Sequence, residues 1–102
     1  MNGQAETWSV QMAPAAARAL DRLPLKASGA VVRFITDTLP ADLRSLSRPL
    51  RHELSGWHVA RRGDYRVTFR ILEDDRVLLI GRIEHRSQWV LELASSDNAS
   101  AR

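Results

Sequence analysis

The sequence predicts an α+β domain: an N-terminal strand, a two-helix hairpin, then an antiparallel three-stranded meander packed on the helices. Three observations carry this. Residues 8–12 alternate apolar with polar; apolar residues then recur at the helical period between Pro14 and Leu39, with a break at Pro24; and the second half consists of alternating segments separated by polar turns. At 102 residues and 44% hydrophobic content the chain has material for one compact core. A single domain over residues 1–93 is expected, followed by a small, polar and disordered tail over 94–102 (ASSDNASAR).

Trp8-Ser-Val-Gln-Met12 reads as the first strand, and Pro14 suits the first turn of a helix running to Leu23. Ala16, Ala19, Leu20 and Leu23 fall on one face of that helix, while Arg18, Asp21 and Arg22 can stay in water. From Leu25 to Leu39 the spacing of Ala27, Ala30, Val31, Phe34, Ile35 and Thr38 predicts a second, antiparallel helix that stops at Pro40. Residues 41–55 show no clean period, and a connection with one helical turn and a short strand at Leu50 to Leu54 is expected there.

The meander follows. Strands are expected at Trp57 to Arg61, Tyr65 to Leu72 and Arg76 to Glu84, joined by turns at Arg62-Gly63-Asp64 and Glu73-Asp74-Asp75. In the middle strand Tyr65, Val67, Phe69 and Ile71 point one way and Arg66, Thr68 and Arg70 the other. One face then packs on the helices and the opposite face is basic.

Composition narrows the function. Cysteine is absent, which removes disulfides, thiol nucleophiles and cysteine-based zinc sites, and the three His have no acidic companion at metal spacing. No metal or cofactor is expected. The polar N-terminus carries no signal-peptide pattern and no apolar run reaches membrane-span length, so a cytoplasmic location is expected. The net charge is only +3, but residues 44–86 hold ten Arg against six acidic residues and all three His, His52, His58 and His85. Groups that bind phosphate and groups that move protons therefore share one segment.

The run from Arg48 to Phe69 (RPLRHELSGWHVARRGDYRVTF) resembles the RelE branch of the RelE/ParE toxin superfamily, as does the ending Ile83-Glu-His-Arg-Ser. The resemblance covers about Trp8 to Val90. It implies a metal-independent endoribonuclease that cuts messenger RNA in the 16S decoding site of the ribosome, by attack of the 2′-hydroxyl on the adjacent phosphate. It also implies a cognate RelB-like antitoxin, often in a heterotetramer. Such chemistry needs cations around the phosphorane, a base near the 2′-hydroxyl and an acid near the leaving oxygen.

The resemblance makes Arg66 the phosphate-holding arginine of the Tyr-Arg strand motif and His85 the general base or acid, while Arg82, on the same alternation as Glu84, is expected to face the same basin as Arg66. Arg61, Arg62 and Arg86 are the expected RNA-gripping cations, with His58 and Trp89 as further RNA contacts. Two departures from the family stand out: no lysine occupies the second strand, since Lys26 is the only one in the chain, and Ser87-Gln88-Trp89-Val90 stands where many relatives close the site with tyrosine. These gaps keep two other readings open, a ParE-like toxin that poisons DNA gyrase by contact alone, and a degenerate toxin that retains only antitoxin binding.

Overall fold

The computed structural model describes residues 8–88; the expected polar tail and Trp89 lie outside them. Strand β1 (Ser9–Met12) leads through Ala13 into helix α1 (Pro14–Arg22), with Pro14 in the first turn, where its missing N–H costs nothing. Leu23 and Pro24 turn the chain into helix α2 (Leu25–Arg33), which continues as a π-helical segment over Phe34–Thr38. The wider turn is closed by Leu39 N–H donating to Phe34 O at 2.8 Å. A 3₁₀ turn at Pro40–Asp42, a short helix α3 (Leu43–Leu46) and strand β2 (Ser47–Pro49) follow. Beyond a 3₁₀ turn at His52–Leu54 come β3 (His58–Arg62), β4 (Tyr65–Leu72) and β5 (Val77–His85).

The expected meander is present, but it is the centre of a larger sheet of order β1-β5-β4-β3-β2. β1 lies parallel to β5, with Ser9 opposite Val77 and Met12 opposite Ile80, and the other pairs are antiparallel. A four-residue strand has no stability alone, so β1 gains its hydrogen bonds by covering an edge that β5 would otherwise expose. The short strand expected at Leu50 to Leu54 lies instead at Ser47–Pro49, against His58–Ala60. Pairing stops at Pro49, which has no N–H to offer, and His52 at φ 59° turns the chain away from the sheet. Leu50 N–H then donates to Trp57 O at 2.8 Å, closing a loop, and Gly56 supplies the positive φ of 97° that the loop's return demands.

One face of the sheet packs on the helices. Ala16, Val31, Phe34, Ile35 and Leu39 from the helical layer meet Ala60, Val67, Phe69, Leu78, Ile80 and Ile83 in one buried cluster. At about 25 cal/mol per Å² of apolar area removed from water, this cluster is the main source of stability. Among the described residues no helix is long and apolar enough to cross a membrane.

Candidate functional site

The face of the sheet opposite the helices carries a row of charged side chains. Cross-strand pairing sets Arg61 opposite Arg66 and Arg66 opposite Glu84, which forms one row across β3, β4 and β5. The next row sets Val59 opposite Thr68 and Thr68 opposite Arg82. Directly opposed residues share a face, so Arg61, Arg66, Thr68, Arg82 and Glu84 project together.

A break in the ladder makes this possible. Thr68 pairs with Arg82 but Phe69 pairs with Ile80, leaving Gly81 as the extra residue of a β-bulge. The bulge resets the alternation of β5, so that Ile80 and Ile83 both enter the core while Arg82 and Glu84 both leave it. Gly81 also has a packing role. A Cβ there would lie 2.5 Å from Trp57 Cζ3, so only glycine lets the indole rest on the β5 backbone. The Arg70 guanidinium lies 5.4 Å from the Trp57 ring centroid, a cation–π contact that holds the indole in place.

The result is a cleft of about 370 Å³ with two kinds of wall. Leu50, Leu54 and Trp57 make the apolar side; Arg66, Arg82 and Glu84 make the ionic side. Arg66 Nη2 and Nε donate to Glu84 Oε1 at 2.8 and 3.2 Å, and Arg82 Nη1 donates to Glu84 Oε2 at 3.3 Å. The Glu84 side chain is 7% exposed, against 23% for Arg66 and 59% for Arg82. A carboxylate so deeply placed requires charged partners, and here both oxygens have one.

The structure brings together only part of the expected site. Arg66 and Arg82 meet through Glu84, and Arg61 stands beside Arg66 on the same face. Arg62, one residue along, pairs with Tyr65 on the opposite alternation. His85 does not join the cluster. It pairs with Tyr65, their rings meeting edge to face with centroids 5.2 Å apart, and its Nδ1 is 3.1 Å from Ser87 Oγ. His58 likewise lies on the helix side, stacked on Phe69 at 5.8 Å, with Nδ1 buried and without a hydrogen-bond partner among the described residues. Arg86 sits past the end of β5, where its backbone N–H donates to Asp64 O at 2.7 Å and its guanidinium reaches Asp64 Oδ1 at 3.5 Å. Trp89 lies outside the described residues.

Comparison with known proteins places the family and the fold. The family model for the ParE toxin of the type II toxin–antitoxin system parDE matches residues 10–89. Two relatives from Mycobacterium tuberculosis, named Toxin RelE and Toxin RelG, are 41% and 36% identical to this chain over 80 residues. Each alignment spans 78% of this chain, and 82% and 92% of the respective relatives. The chain belongs to the RelE/ParE superfamily of type II toxins. The crystal structure of the toxin–antitoxin complex RelBE2 from the same organism matches at a TM-score of 0.74 and 36% identity, over 78% of this chain and 99% of that one.

As a RelE/ParE toxin, this chain therefore carries its ionic cluster on the sheet face turned away from the helices. Sequence reasoning missed Glu84 as a member of it, and also Thr68 and the Trp57–Gly81 contact. The i, i+2 spacing of Arg82 and Glu84 was the available signal for the first, because two residues of one strand at that spacing share a face. The contact between Trp57 and Gly81 leaves no local trace, since it depends on the bulge and on the fold of the preceding loop.

Proposed function

We propose that this chain is the toxin of a type II pair and acts as a ribosome-dependent endoribonuclease, cutting messenger RNA in the decoding site by attack of the 2′-hydroxyl on the adjacent phosphate. The observation that carries the reading is the cleft on the open sheet face, where two guanidiniums converge beside an apolar wall. Arg66 and Arg82 can surround a phosphate whose charge grows in the transition state, and a guanidinium fork suits phosphate oxygens. Arg61 extends the positive row toward the strand β3 side and binds RNA backbone. Leu50, Leu54 and Trp57 offer a nucleobase an apolar surface. The likeness to proteins named RelE and RelG supports the same reading.

The protein acts in the cytoplasm, where ribosomes are. It is silenced by a RelB-like antitoxin, a partner suggested by the toxin–antitoxin complex to which the fold is similar. The test is primer extension on a reporter messenger RNA in a translating extract. Wild type is expected to cut within codons, and Arg66→Ala to lose about 10²–10³-fold in rate, as removal of one transition-state donor commonly does.

A second reading rests on the match to the ParE family model, which favours a gyrase-directed toxin that performs no chemistry of its own. Intact reporter RNA together with accumulated gyrase–DNA cleavage complexes would establish it in place of the first.

A further inference from the structure

A general base in the cleft must be a side chain that carries a lone pair and faces the substrate. The walls offer few. Leu50, Leu54 and Trp57 have no basic atom, Thr68 has only a hydroxyl, and the guanidiniums of Arg66 and Arg82 are donors with no acceptor site. The one lysine, Lys26, is on helix α2 on the other side of the sheet. His58 and His85 both belong to the helix-side alternation, each against an aromatic ring, Phe69 and Tyr65. His52, on the turn between Leu50 and Leu54, is exposed and does not line the cleft, and Glu84 remains, a carboxylate lining the cleft with its oxygens turned toward the two arginines.

We propose that Glu84 is the proton acceptor of the reaction, taking the 2′-hydroxyl proton of the nucleotide whose phosphate Arg66 and Arg82 hold. This rests on the ribonuclease reading given above. The 2′-hydroxyl and its adjacent phosphate are neighbours in RNA, so a phosphate bound by the arginines carries the hydroxyl toward the carboxylate those arginines already hold. A guanidinium has five donors, enough to serve a carboxylate and a phosphate together. The 2′-O–H bond breaks and its proton passes to Glu84, while the 2′-oxygen forms a bond to phosphorus. The bond from phosphorus to the 5′-oxygen breaks, and that oxygen leaves with the electron pair and takes a proton from water. The hydroxide so formed recovers the proton from Glu84. The products are a 2′,3′-cyclic phosphate and a 5′-hydroxyl.

The experiment is single-turnover cleavage of messenger RNA on programmed ribosomes by wild type, Glu84→Gln and Glu84→Asp. Affinity is measured in parallel for the same complex carrying a 2′-O-methyl group at the scissile nucleotide. Glu84→Gln keeps the shape and an acceptor oxygen but is no base. It is expected to lose about 10²–10⁴-fold in rate with affinity within about threefold of wild type, and its residual rate is expected to climb with pH more steeply than wild type, because hydroxide must now remove the proton. Glu84→Asp keeps both the charge and the base but withdraws them by one methylene, and a loss of at least about tenfold in folded protein is expected, since small displacements of a reacting group are costly. If Glu84→Gln is unfolded by circular dichroism, Glu84→Asp decides: a wild-type rate overturns the assignment. A Glu84→Gln rate within about threefold of wild type also overturns it, as does a loss of rate and affinity in equal measure, which would mark Glu84 as a counterion only. Wild-type protein that leaves the RNA uncut overturns the ribonuclease reading itself, and the role of Glu84 falls with it.

Discussion

Gly81→Ala tests whether the cleft is shaped by the contact between Trp57 and the bulge. A Cβ at position 81 would meet Trp57 Cζ3 at 2.5 Å and Cη2 at 2.8 Å. Carbon atoms rest at about 3.5–4.0 Å, so the indole must retreat by about 1 Å. Overfilling a packed site costs about 1–3 kcal/mol, and the displaced ring also weakens its contact with Arg70, worth about 0.5–1 kcal/mol at an exposed position. Against this, Gly→Ala stiffens the unfolded chain and returns about 0.4–1 kcal/mol, since Gly81 does not adopt positive φ. The expected net loss is about 0.5–3.5 kcal/mol, centred on about 2 kcal/mol, and each kcal/mol is read as a fall in Tm of about 4–8 °C for a domain of this size. The decisive assay is a double-variant cycle by chemical denaturation. With Trp57→Ala already present the clash has no partner, and Gly81→Ala is expected to be neutral or stabilising by up to about 1 kcal/mol. Equal costs in the two backgrounds would refute the reasoning, because the penalty would then lie in the strand backbone.

Three further outcomes are expected. Reversing the charge at Arg61, on the cleft face, should weaken ribosome-bound RNA contact and flatten its salt dependence by about 0.7–0.9 in slope, whereas the same change at Arg62 should leave both nearly unaltered; binding titrations across salt concentrations separate them. His85→Ala should leave the single-turnover cleavage rate within about threefold of wild type, because its ring meets Tyr65 and stands away from Arg66, while a loss near the ~10²-fold scale of a general base would restore it to the mechanism. The exposed Arg86–Asp64 ion pair, at 3.5 Å, should contribute no more than about 1 kcal/mol in a double-variant cycle, and less as salt rises.

Much of the fold was legible because most of it rests on local periodicity. The alternation of β4 separates Val67 and Phe69 from Arg66 and Arg70 in the sequence and in the structure alike, and β4 itself spans the expected Tyr65–Leu72. The parallel attachment of β1 to β5 was not legible, because the hydrogen bonds that create it join segments more than sixty residues apart. Residues 41–55 were equally opaque: Pro49 and the positive φ of His52 set the path there, and neither produces a periodic pattern. The site was half legible. Arg82 and Glu84 share a face by counting along β5, but which face that is depends on the bulge at Gly81, which leaves no local pattern, and His85, adjacent to Glu84, was assigned by the family's closing cluster and by its residue type. In a strand, adjacent residues face opposite ways, and that single step decides that the carboxylate is in the cleft while the imidazole lies against Tyr65.

Under the proposed ribonuclease reading, Glu84 also explains how a small domain can hold its arginines in place before any RNA arrives. Arg66 and Arg82 are directed at a region where an anion is needed, and without one their mutual repulsion would favour outward rotamers. The carboxylate supplies the anion and fixes both forks by hydrogen bonds of 2.8 to 3.3 Å. When a phosphate enters, its charge shares that role, so the arginines are already arranged for the substrate and less side-chain entropy is lost at that moment. The carboxylate meanwhile stays beside the phosphate that the two arginines hold. The preorganised resting cluster and the proposed proton transfer are thus two consequences of one placement. Replacing Glu84 by glutamine should accordingly cost more in the chemical step than in binding, because the amide still accepts a hydrogen bond from Arg66 but cannot take the proton.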